Sequence, residues 1–131
     1  MAEIRSFIFL DRLQPQTMSY LGTWIKGSLP RAGDAAQIIE VAPGLDIEPL
    51  TDVALKSAVV KAGILIVERQ YGYLELHGSV SQVRSAGGAV LDHLGVSAMD
   101  AMRPQILASR IVSRLDRQHA FLINRNKVGS M

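Results

Sequence analysis

The amino-acid sequence predicts an α+β fold in which helices lie on a sheet, and three observations carry that prediction. Residues 35–95 alternate between strand-like and helix-like patterns in the order β-α-β-β-α, with one further strand-like run, residues 3–10, ahead of them. The two middle strands, 61–69 and 73–77, are separated by a short Gly-containing turn and read as a hairpin. The chain is 48% hydrophobic but only 5% aromatic, so its core is built from Val, Ile, Leu and Ala. Small aliphatic side chains suit close layers of helix on sheet.

The elements follow in order. Residues 3–10 are rich in Ile and Phe and alternate loosely, as a strand does. Pro15 opens a helix that runs through Ile25, with Gly27 as its stop. Pro30-Arg31-Ala32-Gly33-Asp34 is a loop, residues 35–42 are the second strand, and Pro43-Gly44 breaks it. Asp46 is placed to cap the next helix, with Pro49 tolerated in the first turn. Leu50, Val53, Ala54, Ser57 and Ala58 recur at helical spacing and form its inner stripe, which leaves Lys56 pointing outward. After the hairpin, Ser79 or Ser81 caps a helix reaching Leu94, with Val83, Ala86, Gly87, Val90, Leu91 and Leu94 on its inner face. The small residues Ala86-Gly87-Gly88 allow that helix to lie close to the sheet, and Gly95 ends it. A small-residue, Met-containing linker follows and passes through Pro104.

A weak repeat appears beyond the linker. Arg5, Leu10, Asp11 and Arg12 recur as Arg110, Leu115, Asp116 and Arg117 at one common offset. Each set precedes an apolar segment, Met18-Ser19-Tyr20-Leu21 in the first and Ala120-Phe121-Leu122-Ile123 in the second. Such self-similarity signals reuse of one supersecondary unit.

Composition excludes several function classes. There is no Cys among the 131 residues, which rules out disulfides, thiolate nucleophiles and Cys-based zinc sites. The net charge of +2 is too small to argue for nucleic acid. No apolar run approaches the length of a membrane span, and the acid-flanked start lacks the pattern of a signal peptide, so the sequence reads as cytoplasmic. His77, His93 and His119 are scattered without metal-ligand spacing and are expected to be surface or hydrogen-bonded residues. Gly87-Gly88 sits inside a helix pattern and not at a strand-to-helix turn, so no nucleotide fingerprint is present. No nucleophile elbow or acid–base cluster is found, and the sequence offers no catalytic, cofactor-binding or metal residues. Trp24, Met18 and Tyr20 read as core or assembly contacts.

The most informative stretch is Ile64-Leu65-Ile66-Val67-Glu68-Arg69-Gln70-Tyr71-Gly72-Tyr73, where an apolar strand runs into two opposite charges at the hairpin tip. Burying such a pair costs desolvation, so the tip must meet water or partners of its own. By itself the pattern also fits an ordinary solvated tip.

Several strings together resemble the bacterial microcompartment shell proteins. They are Phe9-Leu10-Asp11-Arg12-Leu13-Gln14-Pro15-Gln16, Glu40-Val41-Ala42-Pro43-Gly44, Thr51-Asp52-Val53-Ala54-Leu55-Lys56, Ile66-Val67-Glu68-Arg69, Leu122-Ile123-Asn124-Arg125 and Gly129-Ser130-Met131. The resemblance is to the circularly permuted, tandem-domain type, which forms pseudohexameric trimers and includes carboxysome members whose trimers stack. It implies a ferredoxin-like βαββαβ domain, an antiparallel sheet with helices packed on one face, in which the last strand has moved to the front. On that basis residues 1–95 are a permuted shell domain, 96–107 a linker, and 108–131 the start of a second, incomplete domain, with the rest expected after residue 131. Two domains per chain then imitate two corners of a hexagon, and three chains, or six single-domain copies, make one tile. The resemblance also implies roles. Glu68 and Arg69 would rim and gate a central pore, with Gln70, Tyr71 and Gly72 as neighbours. Lys56, with Asp52 beside it on the helix, would lie at the tile edge. Expected partners are further copies of the chain, other shell proteins, small metabolites in the pore and, indirectly, the enclosed enzymes, within a cytoplasmic microcompartment shell. The alternative is a small ferredoxin-like trimeric regulator that binds a metabolite between subunits.

Overall fold

A computed structural model describes residues 2–102, 105–106 and 108–126 of the chain. Pro104 of the linker and the Gly129-Ser130-Met131 string lie outside the described residues. The elements are β1 (Glu3–Leu10), α1 (Pro15–Trp24), β2 (Ala35–Ala42), α2 (Ile47–Ser57), β3 (Lys61–Val67), β4 (Gly72–Gly78), α3 (Val80–Leu94) and α4 (Arg117–Asn126). Short 3-10 turns cover Gly44–Asp46 and Ala98–Asp100. The four strands form one sheet in the order β1-β2-β4-β3, with every neighbouring pair antiparallel. β1, the strand placed at the front of the chain, therefore closes the β2 side of the sheet.

Alternation along the strands assigns the two sheet faces. Ile4, Ile39, Val41, Leu74 and Leu76 join Ile47, Leu50 and Ala54 of α2 and Ala86, Val90 and Leu94 of α3 in the main core. Both helices of the βαββα unit thus lie on one face, as the sequence predicts. α1 precedes that unit and packs over the other face, where Leu13 and Leu21 cover Ala36. Gln37 is a buried polar residue on β2, and its side-chain amide donates to the Ile8 carbonyl at 2.9 Å. A Cβ on Gly87 would approach Phe7 at 3.0 Å and the Gln37 amide oxygen at 3.3 Å, so that glycine permits α3 to sit down on the sheet. Gly88 has nothing within 4 Å and is not needed for the contact.

Local expectations fare unevenly. Ser79 caps α3 by accepting from the Gln82 amide, and Gly95 ends it in the left-handed conformation at φ 70. Asp46 does not cap α2. It lies in the 3-10 turn with helical dihedrals and makes no side-chain cap bond, because that turn already feeds the helix. The inner face of α2 is Ile47, Leu50, Thr51 and Ala54, while Ser57 is exposed at the last residue of the helix. The Thr51 hydroxyl is satisfied by the Ile47 carbonyl at 2.7 Å, which lets a polar residue occupy that face. α1 stops at Trp24, and Gly27 is not its stop signal. Residues 26–28 instead run beside β3, with the Lys26 and Gly27 amides donating to Gly63 and the Ser28 amide to Ala62. A Cβ on Gly27 would lie 2.5 Å from the Ala62 carbonyl oxygen, so glycine is required there by contact.

The two copies of the short repeat differ. Arg5 to Leu10 lie in β1, paired to β2, whereas no strand forms over residues 108–115. Both copies lead into a helix, α1 in one case and α4 in the other. Strand geometry needs a partner ladder, and β2 supplies one only to the first copy. Ile106, Ile111 and Val112 are exposed in consequence. Between the copies, Val96 and Ala101 pack on the main core and the Met102 amide donates to the Arg5 carbonyl at 3.0 Å.

Candidate functional site

The β3–β4 hairpin ends in a tight turn. The Glu68 amide donates to the Tyr71 carbonyl at 2.9 Å, which leaves Arg69 and Gln70 as the two loop residues. Relative to the sequence reading β3 is shorter, ending at Val67, and β4 is longer, running from Gly72 to Gly78. Glu68, Arg69, Gln70 and Tyr71 are all exposed, and Gly72 is buried. The structure therefore brings the five predicted residues to one end of the sheet. Among the described residues, Glu68 and Arg69 form no ion pair within the subunit, either with each other or with a third group.

The base of the turn is crowded. A Cβ on Gly44 would collide with the Glu68 carbonyl oxygen and reach that of Tyr71 at 2.5 Å. A Cβ on Gly72 would collide with the Gly44 carbonyl oxygen and lie 2.6 Å from Ile47 at the start of α2. The Pro43-Gly44 break thus has a second role beyond ending β2: it lets the loop press against the hairpin.

Polar groups continue from the tip along one face of the sheet. The Tyr71 hydroxyl is pushed above its ordinary pKa, first by its hydrogen bond to Glu68 and then by that carboxylate's charge. Tyr73 is 8% exposed, and burial, followed by the charges of Glu75 and Glu40, raises it to about 12. Its hydroxyl stays protonated throughout the neutral range. Glu40 meets Arg5 at 3.1 Å across the β1–β2 pair. Deeper still, Glu75 is fully buried and both its carboxylate oxygens lie 3.0–3.1 Å from Nδ1 of His77. Residues 25–28 cover this pair: a Cβ on Gly63 would strike Glu75 Oε1 and meet Ile25 and the Ser28 carbonyl at 3.0 Å. His77 Nε2 and Trp24 Nε1 are buried without a hydrogen-bond partner among the described residues. His77 is hydrogen-bonded, as the sequence suggests, but its partnership with Glu75 was not anticipated. The spacing Glu75-Leu76-His77 on a strand was the available signal, since residues two apart share a face.

Away from the hairpin, Asp52 and Lys56 are exposed on α2 and pair at 2.7 Å across one helical turn. That geometry holds the ammonium against the helix surface. His93 is exposed near the end of α3. No group of three or more His, Asp or Glu that could hold a metal occurs among the described residues. Nor is any described helix long and apolar enough to cross a membrane. Met18 packs against the second core cluster, while Tyr20 is exposed.

Comparison with known proteins identifies the family. Residues 4–100 match the family model described as the CsoS1D N-terminal domain. The carboxysome shell protein CcmP of Synechococcus elongatus is 45% identical over 130 residues, which is 98% of this chain and 61% of that protein. The fused permuted hexameric shell protein MSM0275 from the RMM microcompartment superposes with a TM-score of 0.89 at 74% identity, over 98% of this chain and 64% of the other. The double ringed trimeric shell protein MSM0271 from the same microcompartment gives a TM-score of 0.86 at 40% identity, over 100% of this chain and 63% of the other. The chain thus spans about three-fifths of the length of these relatives.

Proposed function

The chain belongs to the CsoS1D N-terminal domain family, and from that membership we propose that it is a structural tile of a bacterial microcompartment shell. The tile lies in the cytoplasm within the shell and assembles with further copies and other shell proteins into hexagonal facets. It encloses enzymes without acting as one. Glu68 and Arg69 rim a central pore for small metabolites, flanked by Gln70, Tyr71 and Gly72, and Asp52 and Lys56 lie at the tile edge. Residues 1–95 are the permuted shell domain, 96–107 link it onward, and 108–131 begin a second domain.

The observation that carries the reading is the state of Glu68 and Arg69. An acid and a base sit side by side, exposed and without an ion pair among the described residues of the subunit, on a turn whose backbone is tightly packed. Rotational symmetry around such a tip brings like charges together and places each acid near a base of the next copy. Pairs of that kind are weak when solvated, so alternative side-chain arrangements lie close in energy. The groups are then suited to opening and closing a passage. The names of the matched relatives, all shell proteins, support the tile over a freestanding regulator.

Electron microscopy of the concentrated protein tests this. Flat sheets, tubes or discs with a hexagonal repeat are expected. Discrete particles that never tile, with saturable binding of a metabolite between subunits, would favour the regulator instead.

A further inference from the structure

The sheet face opposite the main core is only partly covered, and the part left open holds polar groups in register. Leu13 and Leu21 cover Ala36 at one end of that face, and residues 25–28 cover Glu75. Toward the hairpin end a cavity of about 310 Å³ remains between α1 and the sheet, a volume at the lower bound of ordinary small-ligand sites. Strand pairing sets three oxygen-bearing residues side by side on its floor. Ser6 of β1 pairs with Glu40 of β2, and Glu40 pairs with Tyr73 of β4. Residues paired directly across strands share a face. Ile8 and Ile38, paired in the same way, make the adjoining row, and Tyr20 and Leu21 of α1 wall the cavity. Arg5 Nε donates to one oxygen of Glu40 at 3.1 Å. Among the described residues the Glu40 side chain makes no other hydrogen bond, and the Tyr73 hydroxyl makes none. Tyr73 is more than nine-tenths buried, so a partner for its hydroxyl must enter the cavity. A polar group left unpaired in such a place costs free energy that a ligand recovers.

The chemistry of the floor selects the ligand. A hydroxyl, a carboxylate and a phenol in one row offer three acceptors, and a primary ammonium carries three donors. Beyond its burial, the Tyr73 hydroxyl feels the charges of Glu75 and Glu40. Arg5 is the more exposed member of its pair with Glu40 and reaches only one carboxylate oxygen, so the local charge leans negative. Tyrosine rings accept a cation on their faces, and the Ile8, Ile38 and Leu21 side chains suit an alkyl chain. An anion would be repelled by Glu40, and a neutral alcohol would forgo the charge-assisted hydrogen bond. We propose that this cavity binds a small organic cation, a primary ammonium on a short aliphatic chain, with the ammonium on Ser6, Glu40 and Tyr73 and the chain over Ile8 and Ile38. The site uses none of the hairpin-turn residues, so it stands whether or not the tip lines a pore.

NMR titration of the intact chain with three probes of one chain length, n-butylammonium, 1-butanol and butyrate, tests the site. Butylammonium should bind saturably, with a Kd on the order of 1 mM, and should shift Ser6, Glu40 and Tyr73 together. Binding of 1-butanol should be about tenfold weaker or more, and butyrate weaker still. Glu40→Gln should lower the butylammonium affinity about tenfold and leave 1-butanol unaltered, while Tyr73→Phe should lower it by roughly two- to fivefold. Glu48→Gln removes an exposed carboxylate on α2 and should change nothing. The proposal is overturned if butyrate or 1-butanol binds as tightly as butylammonium, or if no saturable shift appears at these three residues up to about 50 mM. Equal losses in Glu40→Gln and Glu48→Gln would overturn it as well, since diffuse attraction to the whole surface would then explain the binding. Should Glu40→Gln fail to fold, the ranking of the three probes on the unaltered chain still decides.

Discussion

One hairpin carries two acid–base pairs, and they are built for opposite purposes. Glu75 and His77 sit at its buried end, covered by residues 25–28 and joined by short contacts from one imidazole nitrogen to both carboxylate oxygens. Glu68 and Arg69 sit at its exposed end and form no ion pair within the subunit among the described residues, where Glu68 meets only the Tyr71 hydroxyl. The buried pair has one arrangement, because each member is the other's compensation for lost water. The exposed pair has several, because water solvates every one of them. A side chain is available for function in proportion to how little the fold needs it, and here that contrast is drawn between a strand and the turn that leads into it.

The sharpest way to break the comparison is at the buried end. Glu75→Ala leaves His77 without its carboxylate in a closed site and should cost roughly 3–5 kcal/mol in denaturant unfolding. A loss below about 1 kcal/mol would mean that the pair is not the keystone described here. Next in size is the response to alkali. The folded state holds the Tyr73 proton up to a pKa of about 12, whereas the unfolded chain releases it near the ordinary tyrosine value of 10.0. The unfolded state is therefore favoured progressively as pH rises between those values. The unfolding midpoint should fall over that interval, and Tyr73→Phe should flatten the fall.

At the exposed end the expected stability effects are small and the functional ones large. Glu68→Ala combined with Arg69→Ala should move stability by no more than about 0.5 kcal/mol, while solute passage through assembled tiles changes. If the double variant instead unfolds, the division between the two ends is wrong. The smallest stability effect belongs to α2. Lys56→Glu replaces an attraction across one helical turn with a like-charge repulsion and should cost only about 0.2–0.5 kcal/mol. It should nevertheless abolish sheets and tubes under the electron microscope if Lys56 forms the tile edge.

Much of this was legible in the sequence. Patterning on strands and helices located β1 to α3 because each buries one face and so writes its period into the residues. Glu68 and Arg69 stood out because charge interrupts an apolar run. Three features could not be read in the same way. The roles of Gly44, Gly72 and Gly27 are contacts between segments far apart in the chain, and a glycine at a break looks the same whether it turns the backbone or admits a neighbour. The position of α1 over the second face depends on which side its few apolar residues find open, and Leu13, Met18 and Leu21 alone do not specify that. Glu75 and His77 look like solvent-facing strand residues until residues 25–28 are laid across them.

The central claim is that the exposed pair belongs to a ring. A cryo-electron-microscopy structure of the assembled protein addresses it most directly. Hairpin tips from all subunits should converge on a rotation axis, with Glu68 of one copy within ion-pairing reach of Arg69 of the next in at least one state. Tips directed outward from that axis, or subunits that never meet around one, would contradict it.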